Sequence, residues 1–400
     1  MAKVLISSLG TGSNKDGAYQ KARYQFDQET PYETSFIADA ILKHHKIDKL
    51  FLVGTKKSMW DEAYATLIEG EDDNYYERLV NKKELNGIAV EDLKQFDQEI
   101  KYISNSKIID YGKDENELWE NFEKFLEIAN ELNDGDELYL DITHSFRSLS
   151  LMSFVMTQFA SSISNKNFTI KAIYYGMFEY SHENSGVTPI VDIKILFEIQ
   201  EWIKAIDAIK KYSDFDPLVR LLENDSDIEQ KVKNTFVNLN NTIEMANMSA
   251  MKQFIENATK KILLIENSKN KIVKLLAPQL LSIVKELYKD KMSDFQYGLA
   301  KWFYKNKNYA LSYIALYEAI ITKSCERSNY DIEDYFMREE AKKSIGNDKY
   351  GKYFYTKYDD SISKIRNSIV HQDLSRQKLV LNDIEKLGQF ISHFDGYFNS

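Results

Sequence analysis

Cysteine is almost missing from this chain: Cys325 is the single one in 400 residues. That excludes an internal disulfide framework and predicts a reducing, cytoplasmic setting. Proline is scarce, at 4 residues, and glycine modest, at 15. With few natural breaks and no Pro/Gly/Ser-rich linker, long helices are favoured over a loop-rich all-β fold. No apolar stretch approaches the ~18–20 residues that a membrane-spanning helix needs. The opening MAKVLISSLGTG reads as a strand, without the length or cleavage signal of a secretory leader. Positive charge is also short: 52 Lys and Arg against 62 Asp and Glu leave a net charge of −10. Such a balance argues against a broad grip on duplex DNA, because non-specific binding rests on neutralising phosphates. It leaves room for a small basic site acting on a flexible single strand. The 6 histidines show no H-x-x-x-H or H-x-H spacing, so no metal site is expected, and the adjacent pair His44–His45 reads as a helix surface.

What is present divides the chain in two, as the length leads one to expect. Up to about residue 195, short β-type runs alternate with helical ones. VLISSLG (4–10), KLFLVGT (49–55), SKIIDYG (106–112), ELYLDIT (137–143), TIKAIYYGMFE (169–179) and PIVDIKIL (189–196) are the strand candidates. Helical stretches around Glu33–His45, from Asn116 to Leu132 and from near Ser145 separate them. Strands joined by crossovers of this length imply an α/β domain with a mainly parallel sheet covered on both faces. The last two strands, joined by SHENSG, look like an antiparallel hairpin at one edge. Beyond residue 196 the β signal vanishes. Residues 197–211, 226–267, 270–289, 309–327, 331–344, 357–371 and 379–397 recur at i, i+3, i+4. The expected architecture is therefore α/β followed by all-α, with domains at 1–195 and 196–400 and a helical connector opening the second.

The sharpest motif is ISKIRNSIVHQD in the penultimate helix. At about 100° per residue, Ile362, Ile365 and Ile369 form a core stripe. Asn367 and His371, four apart, share the nearly opposite face, and Arg366 flanks the stripe. The plain reading of such a group is a solvated polar face. In the helix at 309–327, Glu318 sits among apolar residues, where a carboxylate could pair with Arg366. A helix-edge glutamate in water is the simpler view, and Glu318 is not counted as a site residue.

With that motif following such an α/β domain, the chain resembles the CARF–HEPN ribonucleases that accompany type III CRISPR systems. It looks most like the subfamily with a D-I-T-H-x-F-R-S segment, here DITHSFRS (141–148). RNSIVH matches the family's R-N-x-x-x-H motif in full. The resemblance covers essentially the whole chain. It implies a Rossmann-like CARF sensor domain, then an all-helical HEPN domain whose active site forms from two copies of the motif at a dimer interface. It implies a metal-independent endoribonuclease, without cofactor, cutting single-stranded RNA. The 2′-hydroxyl would attack the adjacent phosphorus and leave a 2′,3′-cyclic phosphate. His371 is then the general acid/base, imidazole being the side chain suited to that task near neutral pH. Arg366 holds the phosphate and stabilises transition-state charge, and Asn367 orients the histidine or the phosphate.

Three strand-end segments are candidates for a ligand crevice. In SLGTGSN (8–14), Gly10 and Gly12 let backbone approach a phosphate, and Thr11, Ser13 and Asn14 offer donors. Lys15 occupies the third glycine position of a dinucleotide fingerprint, and no acidic residue follows the second strand, so an oxidoreductase is not expected. In DITHSFRS, Thr143 or Ser145 caps a helix while His144 and Arg147 add donors. In VGTKKSMW (53–60), Thr55 and Lys56 stand at a third strand end. Under the resemblance these residues bind a cyclic oligoadenylate, cyclic tetra-adenylate first and cyclic hexa-adenylate second, across a two-fold homodimer or a larger assembly. The ring would draw the helical domains into cutting geometry, and Thr11 or His144 would assist any slow cleavage of the ring itself. The alternative is a sensor that binds the ring with a non-catalytic helical dimerisation domain.

Overall fold

Apolar runs bounded by glycine or polar turns become the strands of one sheet in the computed structural model, which describes residues 1–12, 14–15, 18–68, 72–100, 105–144, 147–163, 166–266, 268–347, 349–355, 360–371 and 380–399. The chain divides into two units, Met1–Phe197 and Glu198–Ser400.

The first unit runs β1 (Lys3–Leu9), β2 (Asn14–Lys15), β3 (Ala18–Tyr19), β4 (Ala22–Phe26), β5 (Tyr32–Thr34), α1 (Ile37–His45), β6 (Lys49–Gly54), α2 (Trp60–Leu67), α3 (Asp73–Leu85), α4 (Val90–Glu99), β7 (Lys107–Ile108), α5 (Glu115–Glu131), β8 (Glu137–Asp141), α6 (Arg147–Ile163), β9 (Thr169–Gly176) and β10 (Val187–Asp192). Eight strands form one sheet in the order β5-β4-β10-β9-β8-β1-β6-β7, and β2 and β3 make a separate two-stranded ribbon. β1 pairs in parallel with both β6 and β8, and β8 in parallel with β9. Buried runs such as Leu50–Val53 are apolar throughout because both sheet faces are covered.

The antiparallel pairing of the last two strands is present, but β10 is not at the edge. β4 pairs with its far side and β5 with β4. The inward residues Ala22, Tyr24 and Phe26 alternate with polar ones, a half-buried pattern easily taken for loop. For the same reason Glu33 and Thr34 belong to β5, and α1 starts only at Ile37. Residues from Ile195 onward open a helix rather than extend β10.

His44 and His45 also differ from the expected helix surface. Phe26 stacks on His44 with ring centroids 3.9 Å apart, and His45 Nε2 lies 2.6 Å from the Tyr174 hydroxyl. Burial, reinforced by neighbouring His44 and Lys3, pushes the His45 imidazole down to about 4.

The second unit is helical: α7 (Ile195–Tyr212), whose first turn holds the division between units, α8 (Asp216–Asn224), α9 (Gln230–Glu244), α10 (Met248–Ile265), α11 (Lys271–Leu287), α12 (Met292–Lys305), α13 (Tyr309–Arg327), α14 (Tyr335–Gly346), α15 (Gly351–Phe354), α16 (Ile362–Val370) and α17 (Val380–Phe398). The stretch 226–267 is two helices rather than one. Ala246 turns to φ 53°, and Asn247 restarts the helix by accepting from the Ala250 N–H at 3.1 Å. The core centres on α12 and α13, where Phe295, Leu299, Phe303, Tyr313, Leu316 and Ile320 are buried.

Candidate functional site

The strand order decides where a ligand can enter the first unit. β1 lies between β6, which is followed by β7 at one edge, and β8, beyond which β9 and β10 continue the sheet the other way. The carboxyl ends of β1 and β8 therefore flank a topological switch point, where the diverging connections leave a crevice. A cleft of about 340 Å³ opens there, and Gly10, Thr11, Gly12, Thr143 and His144 all line it.

Local chemistry holds this cleft in shape. Asp141, at the end of β8, is fully buried. Its carboxylate accepts from the Ser7 hydroxyl at 2.5 Å and from the Thr143 N–H at 2.9 Å, tying β1 to the turn after β8. Burial pushes the Asp141 carboxyl up, against the pull of His144, Ser7 and Thr143. The same burial pushes the His144 imidazole down, against the pull of Asp141. His144 Nε2 lies 3.1 Å from the Tyr24 hydroxyl. The Thr143 hydroxyl accepts from the Gly176 N–H at 2.9 Å, so it is tied to β9. Two glycines are required sterically. A Cβ at Gly10 would stand 2.7 Å from the His144 carbonyl oxygen, and one at Gly12, whose φ is +72°, would meet the Tyr19 ring at 2.6 Å.

Thr55 and Lys56 are placed elsewhere. The buried Thr55 donates its N–H to Ser58 Oγ at 2.8 Å, and its carbonyl accepts from Trp60 Nε1 at 2.9 Å. Ser58 in turn donates to the Leu9 carbonyl at 2.5 Å. This closed turn braces the β1 loop from behind. Lys56 is exposed, and neither residue lines the cleft. Asn14 falls in β2 and Arg147 opens α6, while Ser13 and Ser145 lie outside the described residues. Reasoning on sequence missed Tyr24, Ser35, Tyr175 and Glu179, which also line the cleft. Ser35 Oγ is buried there without a hydrogen-bond partner among the described residues. The alternation in β4 was the available signal for Tyr24; none existed for Ser35.

In the second unit the motif residues sit on one short helix. Ser361 caps α16, accepting from the Lys364 N–H at 3.3 Å, and Ile362 and Ile365 anchor it in the core. Arg366 Nη1 donates to Asn367 Oδ1 at 3.1 Å. Its guanidinium lies 4.7 Å from the Tyr317 ring centroid, and its Nη2 is 3.7 Å from Glu318 Oε1. Glu318 is therefore part of this constellation and not a helix-edge glutamate in water. Its other oxygen, Oε2, takes Arg338 Nη2 at 2.5 Å. Arg366 Nε is buried and has no hydrogen-bond partner among the described residues. His371 closes the helix, its N–H donating to the Asn367 carbonyl at 2.8 Å, and the residue is exposed. Among the described residues no three His, Cys, Asp or Glu side chains converge as metal ligands, and no helix is long and apolar enough to cross a membrane.

Residues 4–179 match the CARF domain of the CRISPR system endoribonuclease Csx1. The first unit is a CARF domain. Residues 198–293 match the second domain of CRISPR-associated protein MJ1674. Over 410 aligned residues the chain is 33% identical to that protein, from Methanocaldococcus jannaschii, covering 94% of this chain. The chain spans 63% of this relative's length. With a CARF domain of mainly parallel sheet followed by helices, the chain is similar to CRISPR-associated proteins that carry this domain. Among solved structures it is similar to Enterococcus italicus Csm6 bound to cyclic hexa-2'-fluoro-hexa-dAMP, at 10% identity and a TM-score of 0.39, over 98% of this chain and 92% of that one. The cleft described above is thus a cleft of the CARF domain, and the R-N-x-x-x-H helix lies beyond both matched stretches.

Proposed function

We propose that this chain is a metal-independent endoribonuclease that cuts single-stranded RNA and is switched on by a cyclic oligoadenylate bound to its CARF domain. The observation that carries the reading is the intact R-N-x-x-x-H motif on α16. There a charged guanidinium whose Nε has no partner among the described residues neighbours an exposed histidine one turn further on. Arg366 takes the scissile phosphate and steadies the charge that builds on it. His371 takes the proton of the attacking 2′-hydroxyl or gives one to the leaving 5′-oxygen. Asn367, which accepts from Arg366, aims the guanidinium.

The cleft at the β1–β8 switch point supports the sensing half. Its lining includes Gly10, Gly12, the Thr11 side chain and Ser35, whose buried hydroxyl has no partner among the described residues. At about 340 Å³ it lies near the lower end of the roughly 300–1,000 Å³ usual for a drug-sized ligand. A ring of four or six nucleotides exceeds that, and would lie across two clefts related by a two-fold axis. The outer face of α6 supports such pairing. Leu151, Val155 and Phe159, spaced i, i+4, i+8, are exposed, an apolar stripe fit for an isologous contact. Slow cleavage of the ring in the cleft, assisted by Thr11 or His144, would appear as linear product after long incubation; intact ring would dismiss it.

The test is the chemistry of the cut ends. RNA treated with the ring-bound protein in EDTA should carry 2′,3′-cyclic phosphates, and His371→Ala should yield them roughly 10²–10⁴-fold more slowly. Ring binding without any RNA cleavage would make the chain a sensor with a non-catalytic helical unit.

A further inference from the structure

Two arginines compete for one carboxylate beside the R-N-x-x-x-H helix. Glu318, on α13, places Oε2 2.5 Å from Arg338 Nη2 and Oε1 3.7 Å from Arg366 Nη2. The shorter pair is also the better fixed. Arg338 Nη1 donates to the Ile332 carbonyl at 3.1 Å and to Thr322 Oγ1 at 3.3 Å. Both side chains are largely shielded, with 21% of Arg338 and 27% of Glu318 accessible, so their attraction is less screened than at an open surface. Among the described residues Arg366 keeps only the longer approach to Glu318, one bond to Asn367, and the face of Tyr317. Its Nε is a buried donor with no acceptor among the described residues.

From this geometry we infer that Arg338 is a positioning residue that occupies Glu318 and so leaves Arg366 charged and open to a phosphate of single-stranded RNA. The charges make the case. Glu318 with Arg366 alone would be a closed, neutral, bidentate pair, and an anion would have to displace a carboxylate to reach the guanidinium. With Arg338 holding that carboxylate, the three groups carry one net positive charge, and it resides on Arg366, whose Nε has no partner among the described residues. Glu318 still fixes the direction of Arg366 without neutralising it. The inference rests on the nuclease reading for the identity of the anion, while the charge arrangement itself does not.

The experiment measures binding of a fluorescein-labelled single-stranded oligoribonucleotide to the full chain by anisotropy, in EDTA with cyclic tetra- and hexa-adenylate present. His371→Ala is carried throughout so that no turnover intervenes. Arg338→Gln should weaken binding about tenfold, the worth of one charge-assisted hydrogen bond, because Glu318 then closes on Arg366. Glu318→Gln should not weaken it. The decisive variant is Arg338→Gln with Glu318→Gln, which should return affinity to within about twofold of the parent, since no carboxylate remains to sequester Arg366. Arg338→Lys, which keeps the charge, should stay near the parent. If the double variant binds as poorly as Arg338→Gln, Arg338 acts only by packing α14 on α13 and the inference is overturned. Undiminished binding by Arg338→Gln overturns it equally. The predicted order of affinities, with no cleavage when His371 is restored, supports the anion site and removes the nuclease reading. Absence of RNA binding by every variant overturns both.

Discussion

In the proposed reaction Arg366 and His371 have separable duties, and their variants should separate too. Arg366→Ala removes a charge that steadies the phosphate in both ground and transition states, so it should raise KM and lower kcat together. His371→Ala removes a proton-transfer group and should lower kcat alone, by roughly 10²–10⁴-fold. Single-turnover cleavage of a short RNA distinguishes them, and equal effects on KM from both substitutions would contradict the assignment. At the other site Ser35 is the residue to change. Its hydroxyl is buried in the cleft without a partner among the described residues, a state that costs about 1–3 kcal/mol unless a ligand satisfies it. Ser35→Ala should therefore leave or raise the stability of the free protein while weakening cyclic oligoadenylate binding, as calorimetric titration would read. Unaltered affinity would place Ser35 outside the ligand's reach. Neither Ser35 nor Arg338 was legible in the sequence. Each owes its role to a neighbour brought up by another element, and no spacing along the chain encodes that.

At the scale of elements, period and punctuation carried most of the reading. β1, β6, β8 and β9 are largely apolar runs because the parallel sheet buries them on both faces; α16 and α17 keep a clear 3.6-residue stripe, while α13 is buried on successive positions from Ala319 to Cys325. What escaped has a common cause. β4 and β5 are short and face water on one side, so their alternation was lost among polar neighbours. α12 is mixed in composition, with Gly298 in its middle, and its residues Ser293 and Gln296 are buried despite being polar. The His44–His45 pair was misjudged because the sequence does not reveal that Phe26 and Tyr174 close over it. The burial of His45 has a measurable consequence. The folded His45 imidazole sits at about 4, below the unfolded value, so between the two the unfolded chain binds the extra proton and the folded one does not. Stability is then fully held above pH 6.5 and falls as the pH drops toward about 4. The loss is about 2 kcal/mol once solvent screening of a half-buried ring is allowed for. Urea unfolding at about pH 7 and about pH 4.5 should show this loss, and His45→Gln should show less of it. An identical pH slope in the variant would count against the buried imidazole as its source. The apolar stripe on α6 makes a different prediction. Val155→Glu should leave the fold intact, as judged by circular dichroism, yet shift the sedimenting species toward monomer and abolish high-affinity ring binding. A variant that remains dimeric would move the two-fold contact away from α6.

On the scale of the whole molecule, the proposal couples two sites that lie in different units, each assembled from its own neighbours. The CARF cleft is built by the sheet's switch point, a consequence of strand order alone. The R-N-x-x-x-H site is built by α13, α14 and α16, a consequence of helix packing. A ligand can couple them only by binding one arrangement of the proposed dimer better than another. A change from mostly inactive to mostly active protein needs several kcal/mol of such differential affinity, about 5.5 for 1:99 to 99:1. Activation should therefore be steep in ring concentration and reciprocal, with RNA tightening ring binding by the same factor. The measurement that tests this most directly is cleavage of a fluorogenic single-stranded RNA by the full chain in EDTA, with cyclic tetra-adenylate, with cyclic hexa-adenylate, and with neither. One ring should raise the rate by orders of magnitude, and His371→Ala should abolish the response. A rate indifferent to either ring, or no cleavage from a protein shown to bind one, would contradict the proposed coupling.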